Sequence, residues 1–182
     1  MSDTVVMKKK EAGPAQLVIT LFAISAICAV LLGLVNSITS GPIQAAKEAK
    51  TKAAMEAVLP ADSYDKVEYT GGEALVTAVY KAGDAGYVVQ VAPSGFGGNL
   101  DVMVGVNTDG TCSGVSIISH AETSGLGANA TKEDFRNQFV GKSNAAVTKD
   151  GGDIAALTGA TITSRAICNG VNAAIAAAGS LG

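Results

Sequence analysis

Two short stretches hold the side chains most capable of chemistry. The first, Leu157 to Arg165, reads LTGATITSR. It sets four hydroxyls, Thr158, Thr161, Thr163 and Ser164, around Gly159 and Ala160, with no histidine, carboxylate or cysteine to activate them. The second, Ser119 to Ala130, reads SHAETSGLGANA and carries the only histidine, His120, beside Glu122. A hydrolytic triad is disfavoured, because there is no G-x-S-x-G elbow and one histidine would have to serve every proton transfer. Cys28, Cys112 and Cys168 are far apart and form no C-x-x-C pair, so no metal site is expected.

Each stretch supports two readings. Thr161, Thr163 and Ser164 fall where a last helix should begin. Capping is the ordinary use of a hydroxyl there, but one would suffice. The alternative is an anion site: exposed N–H groups and the helix dipole favour negative charge, above all a phosphate. Arg165 either adds charge to that helix end or is simply solvated. The 119–130 stretch is either a polar loop with turn glycines or a ligand loop. In the second case Gly125 and Gly127 permit close backbone approach, and His120 and Glu122 supply polar contacts. SGFGG, Ser94 to Gly98, is another loop whose backbone could approach a ligand.

These loops need a scaffold. Four runs rich in Val and Ile read as strands: Glu73 to Ala82, Gly86 to Pro93, Leu100 to Asn107 and Thr111 to His120. Several alternate as half-buried strands do. The links are short, and Asp109-Gly110 is a hairpin signal. An antiparallel meander is the simplest topology. Two helices follow. TKEDFRNQFVG offers Thr131 as N-cap, early acids, and Phe135 and Phe139 on one face. The last helix runs from about Ser164 to Ala178, with Ile167, Val171, Ala174, Ile175 and Ala178 as its apolar stripe and Gly179 as its stop. Strands followed by helices make an α+β domain, assigned to residues 63–182.

The chain has 182 residues and a net charge of −3, so no nucleic-acid partner is expected: phosphate binding needs a basic patch. Hydrophobic residues make up 48% of it, and one run stands out. From Ala15 to Ile38 there is no charge, and the length suffices for a bilayer core roughly 30 Å thick. Residues 15–38 are therefore read as a transmembrane helix in membrane lipid. A cleaved signal peptide is the rival, but signal cores span only about 7–15 residues. Lys8 to Lys10 precede the run and assign residues 1–14 to the cytoplasm, with the bulk of the chain outside it. Gly41-Pro42 is expected to end the span, and Ile43 to Leu59 reads as helical, within a linker at residues 39–62.

The motifs resemble the FMN-binding domain family, found in the G subunit of the Rnf electron-transport complex and in the C subunit of the sodium-pumping NADH:quinone reductase. The flavinylation motif of that family is roughly Ser/Thr-Gly-Ala-Thr/Ser-x-Thr/Ser. It stands here as Thr158-Gly159-Ala160-Thr161-Ile162-Thr163. HAETSGLG resembles the family loop H-x-E-T-P-G-L-G, with Ser124 in the usual proline position, and GFGGNLDVMVGVNTDG resembles its glycine-rich hairpin. The short length and single N-terminal span fit the Rnf protein better.

The resemblance implies FMN joined through its phosphate to a hydroxyl by a phosphodiester bond. Thr161 is the expected attachment point and Thr163 its competitor; Thr158, Gly159 and Ala160 would shape the turn. His120, Glu122, Thr123, Gly125 and Leu126 would line the flavin. A flavin transferase using FAD and magnesium would install it outside the cytoplasm, so no base is needed inside the motif. The implied function is electron relay within an ion-translocating ferredoxin:NAD oxidoreductase complex, with the other subunits as partners and no independent turnover. The rivals are a stand-alone extracytoplasmic flavoprotein shuttle and a membrane-anchored binding or assembly module without flavin.

Overall fold

The structure is a computed structural model that describes residues 13–181. Lys8 to Lys10, on which the expected orientation rests, lie outside the described residues. The chain divides into two compact units, one ending at Lys47 and one starting at Glu48. The first helix, α1, runs over Pro14–Val58. It contains an 18-residue window of mean hydropathy 2.8 with no burial, long and apolar enough to cross a membrane. The break expected at Gly41-Pro42 does not occur, and Pro42 lies inside the helix. One proline deletes one amide donor, and the helical turns on either side continue without it.

The second unit is built on a five-stranded antiparallel sheet in the order β1-β2-β3-β4-β5. The strands are β1 (Asp65–Val67), β2 (Val76–Ala82), β3 (Gly86–Val91), β4 (Asp101–Asn107) and β5 (Cys112–Ser119). The meander expected from the sequence is present, with one addition. β1 is a three-residue edge strand, Asp-Lys-Val, too short and polar to show a strand pattern. The β4–β5 hairpin turns at Asp109, whose Oδ1 accepts from the Thr111 amide at 2.9 Å and from its hydroxyl at 2.6 Å. Such an Asx turn is what favours Asp before Gly at a hairpin tip.

Both faces of the sheet are covered. Strand alternation sends Val89, Val91, Val102 and Val104 to one face, where they join Ile167, Val171 and Ala174 of α3 (Thr161–Gly179). Val88 and Met103 point to the opposite face, against Ala54, Met55 and Val58 at the end of α1. Ser113 fixes that contact by donating its hydroxyl to the Val58 carbonyl at 2.6 Å. Two-sided cover explains why Val102 to Val106 are all buried, where alternation predicts half-burial.

The segment expected as one helix around Thr131 is shorter. Its α-helical part, α2, is Glu133–Arg136, followed by a 3₁₀ turn at Asn137–Phe139. Thr131 does not cap it, because its hydroxyl donates back to the Ala128 carbonyl at 2.9 Å within the preceding 3₁₀ turn. Phe135 and Phe139 do share a buried face, meeting edge to face with ring centroids 5.4 Å apart.

Candidate functional site

The helix α3 begins at Thr161, three residues before the expected start, and its four neighbouring hydroxyls have four different surroundings. Leu157 to Ala160 form a turn closed by the Ala160 amide donating to the Leu157 carbonyl at 3.0 Å. Gly159, third in that turn, has φ +75°, the left-handed conformation a type II turn demands there. Ser164 ties the turn to the helix. It accepts from the Leu157 amide and donates to the Ala160 carbonyl, both at 3.0 Å. Thr163 is fully buried and donates to Glu122 Oε2 at 2.7 Å. Thr158 is exposed on the turn. Thr161 is half-buried and its hydroxyl has no hydrogen-bond partner among the described residues.

Capping therefore does not account for the cluster. The N-cap position is Ala160, and no side chain caps the helix. The amides of Thr161, Ile162 and Thr163 have no acceptor among the described residues. Three unbonded N–H groups at the positive end of a 19-residue helix favour an anion there.

A cleft of about 420 Å³ opens at this point. Its floor includes Gly159, Ala160, Thr161 and Thr163, and its opposite wall includes Glu122, Thr123, Leu126 and Gly127. The volume falls in the range of small-molecule sites, roughly 300–1,000 Å³. The lining is mostly apolar, and Phe96, Leu126 and Ile162 stand at its edge with side chains open to solvent.

Glu122 joins three of the segments that enclose the cleft. The residue is 8% exposed. Its Oε1 accepts from the Gly97 amide at 3.0 Å, and its Oε2 accepts from Thr163. Two glycines make room for it. A Cβ on Gly95 would lie 2.2 Å from Oε1, and one on Gly127 would lie 2.2 Å from Oε2. The glycines of SGFGG and SGLG thus serve close packing around a carboxylate, as well as chain reversal.

Of the residues expected to line a ligand, the structure places Glu122, Thr123 and Leu126 in the lining of this cleft, together with Gly159, Ala160, Thr161 and Thr163. His120, Gly125 and Thr158 are not in the cleft lining. His120 is exposed, and its Nδ1 accepts from the Glu122 amide at 3.2 Å. The Gly125 carbonyl accepts from Asn129 Nδ2 at 2.7 Å. Arg165 is not free to serve the helix end. Its guanidinium makes two 2.6 Å hydrogen bonds to Asp150, which hold the Asp150 carboxyl below the usual carboxylate range. Pairing also offsets the unfavourable position of a cation near a helix N-terminus.

Two lining residues escaped the sequence reading, Phe96 and Lys149. Phe96 was legible only as the one aromatic inside a glycine loop. Lys149 sits in a 3₁₀ turn, Thr148–Asp150, twelve residues before Thr161, with no local signal tying it to the motif. Its ammonium is in no ion pair among the described residues. Among the described residues no three His, Cys, Asp or Glu side chains cluster as metal ligands would.

The chain matches the FMN-binding domain family over residues 95–176, a span that contains the whole cleft. It is 37% identical to the G subunit of the Na(+)-translocating ferredoxin:NAD(+) oxidoreductase complex of Acetobacterium woodii, over 85% of this chain and 86% of that one. It is 39% identical to the G subunit of the proton-translocating ferredoxin:NAD(+) oxidoreductase complex of Clostridium ljungdahlii, over 82% and 83%. For the G subunit of the ion-translocating oxidoreductase complex of Methanosarcina acetivorans the identity is 32%, over 88% and 92%. A crystal structure of the C subunit of Na(+)-translocating NADH-quinone reductase from Parabacteroides distasonis aligns over 68% of this chain and 78% of that one, with 24% identity and a TM-score of 0.46. With relatives this similar over nearly their full length, the chain belongs to the family of G subunits of ion-translocating oxidoreductase complexes.

Proposed function

We propose that this chain is a membrane-anchored electron-transfer subunit that carries FMN as a phosphodiester on Thr161. The observation that carries the attachment is the contrast between the two candidate threonines. Thr163 is buried and its hydroxyl is committed to Glu122, whereas Thr161 opens into the cleft with its hydroxyl unengaged. The family match supplies the cofactor. The fit of the residues rests on three helix amides without an acceptor and a Lys149 in no ion pair, both among the described residues, and on an apolar rim.

FMN, once bound, supplies the electron chemistry, and the protein's part is anchoring, orientation and electrostatics. The Thr161, Ile162 and Thr163 amides would hold the phosphate, and Lys149 would balance its remaining charge. Glu122 and Ser164 hold the walls in register through the hydrogen bonds described above. Phe96, Leu126 and Ile162 would supply apolar contact to the flavin ring at the cleft edge. Thr161 needs no general base of its own, because a flavin transferase using FAD and magnesium performs the transfer.

The anchor is the 15–38 stretch of α1 in membrane lipid, with the N-terminus cytoplasmic and residues 63–182 forming the FMN domain outside. The partners are the other subunits of a ferredoxin:NAD oxidoreductase complex, as the names of the relatives suggest. A covalent tether suits this location, since a dissociated cofactor would be lost.

The test is intact mass and peptide mapping of protein from its native membrane. The wild type is expected to gain the mass of FMN less one water on the peptide containing Thr161. Thr161→Ala abolishes the gain and Thr163→Ala retains it. Attachment to Thr163, or no gain in a host with a working flavin transferase, would refute the assignment.

A further inference from the structure

We propose that Glu122 is the residue that sets the reduction potential of the cleft, through a buried negative charge held only by neutral donors. The inference rests on the flavin reading above and names a positioning and electrostatic role for a residue that the resemblance offers only as a contact.

Three observations carry it. Glu122 lines the cleft yet is almost fully buried. Both oxygens act as acceptors, the role of an ionised carboxylate, and the donors are an amide and a hydroxyl. No ion pair reaches it among the described residues; Lys52 pairs with Glu56, Lys142 with Asp153 and Arg165 with Asp150. His120, two residues away, meets the Glu122 amide through Nδ1 and makes no ion pair with the carboxylate among the described residues.

A buried charge without a counter-ion is costly, and neutral donors offset only part of that cost. A clamp between loops does not require it, since a neutral amide fills the same space and meets the Gly97 N–H equally well. What the carboxylate adds is its field. Inside a low-dielectric cleft a fixed negative charge opposes the arrival of electrons and lowers the potential of a redox group bound there. The Thr163 hydroxyl dipole, aimed at Oε2, attenuates that field.

The two partners must therefore act in opposite directions, which a merely structural role would not produce. The experiment is equilibrium redox titration of the flavin-loaded full chain in detergent against a dye of known potential. Glu122→Gln removes the charge and keeps the shape. Its flavin is expected to be easier to reduce, with the equilibrium moved at least about tenfold toward the reduced form. Thr163→Ala keeps the charge and removes a donor, so its equilibrium moves the other way by a smaller factor. Amide exchange at Gly97 in flavin-free Glu122→Gln protein is expected to remain slow, showing the clamp intact. Shifts of the same sign, or none, overturn the proposal and leave Glu122 as packing alone. If Glu122→Gln does not accept flavin, Thr163→Ala decides, and an unchanged or raised potential overturns it. A wild type without flavin on Thr161 is a different result, and it is the attachment that then fails.

Discussion

Four hydroxyls within seven residues have four different fates, and the difference lies in what each one faces. Ser164 and Thr163 are consumed by internal hydrogen bonds, Thr158 is on an exposed turn, and Thr161 lines the cleft with a hydroxyl that has no partner among the described residues. The turn that presents Thr161 depends on Gly159. At φ +75° any residue with a Cβ is strained, and that Cβ would also sit 3.0 Å from Leu126 Cδ2. Gly159→Ala is expected to destabilise the domain by about 1–2 kcal/mol. It should also reduce flavin attachment on Thr161, because the turn and helix start would shift. Urea denaturation and intact mass on the same preparation measure both. Full attachment with unchanged stability would show that the turn does not need the left-handed residue.

At the level of elements, β5 and α3 each bury a thiol in the core shared by sheet and helix. Burial pushes both Cys112 and Cys168 up from the ordinary thiol value of 9.0 to about 11. The neutral thiol is thus favoured in the folded state. The associated stability is fully present below about pH 9 and is lost as pH rises toward 11. Reactivity requires the thiolate, so at pH 8 neither thiol should be alkylated by iodoacetamide in the folded protein, and both should react in urea. Mass mapping of the two peptides reads this directly. Rapid labelling of either in the native protein would mean that the packing of α3 on the sheet opens readily.

Across the whole molecule, the compact unit starts well before the first strand. Met55, Val58 and Leu59 are buried in the core that covers Val88 and Met103. A chain starting at Glu48 keeps that cover and lacks the exposed apolar run of α1, so it is expected to be monomeric and folded without detergent. A chain starting at residue 63 loses the cover. At about 1.5–3 kcal/mol per buried apolar side chain, the loss should be roughly 5 kcal/mol or more. Equal urea midpoints for the two truncations would show that the end of α1 contributes nothing to the domain.

The sequence by itself determined the apolar run of α1, the four long strands and their meander, the amphipathic last helix, and the two motifs. These are encoded locally, in composition, in periods of 2 and 3.6, and in turn chemistry. The reading went astray where local signals competed. Pro42 looked like a stop and is accommodated, and Thr131 looked like a cap but is held by the turn before it. The tertiary structure alone decided which hydroxyl is open, because Thr161 and Thr163 differ through contact with Glu122, forty-one residues away from Thr163. It alone brought Phe96 and Lys149 to the cleft and paired Arg165 with Asp150. Contacts of that kind depend on segments far apart in the chain meeting at one helix end, and no spacing within a single stretch of sequence encodes such a meeting.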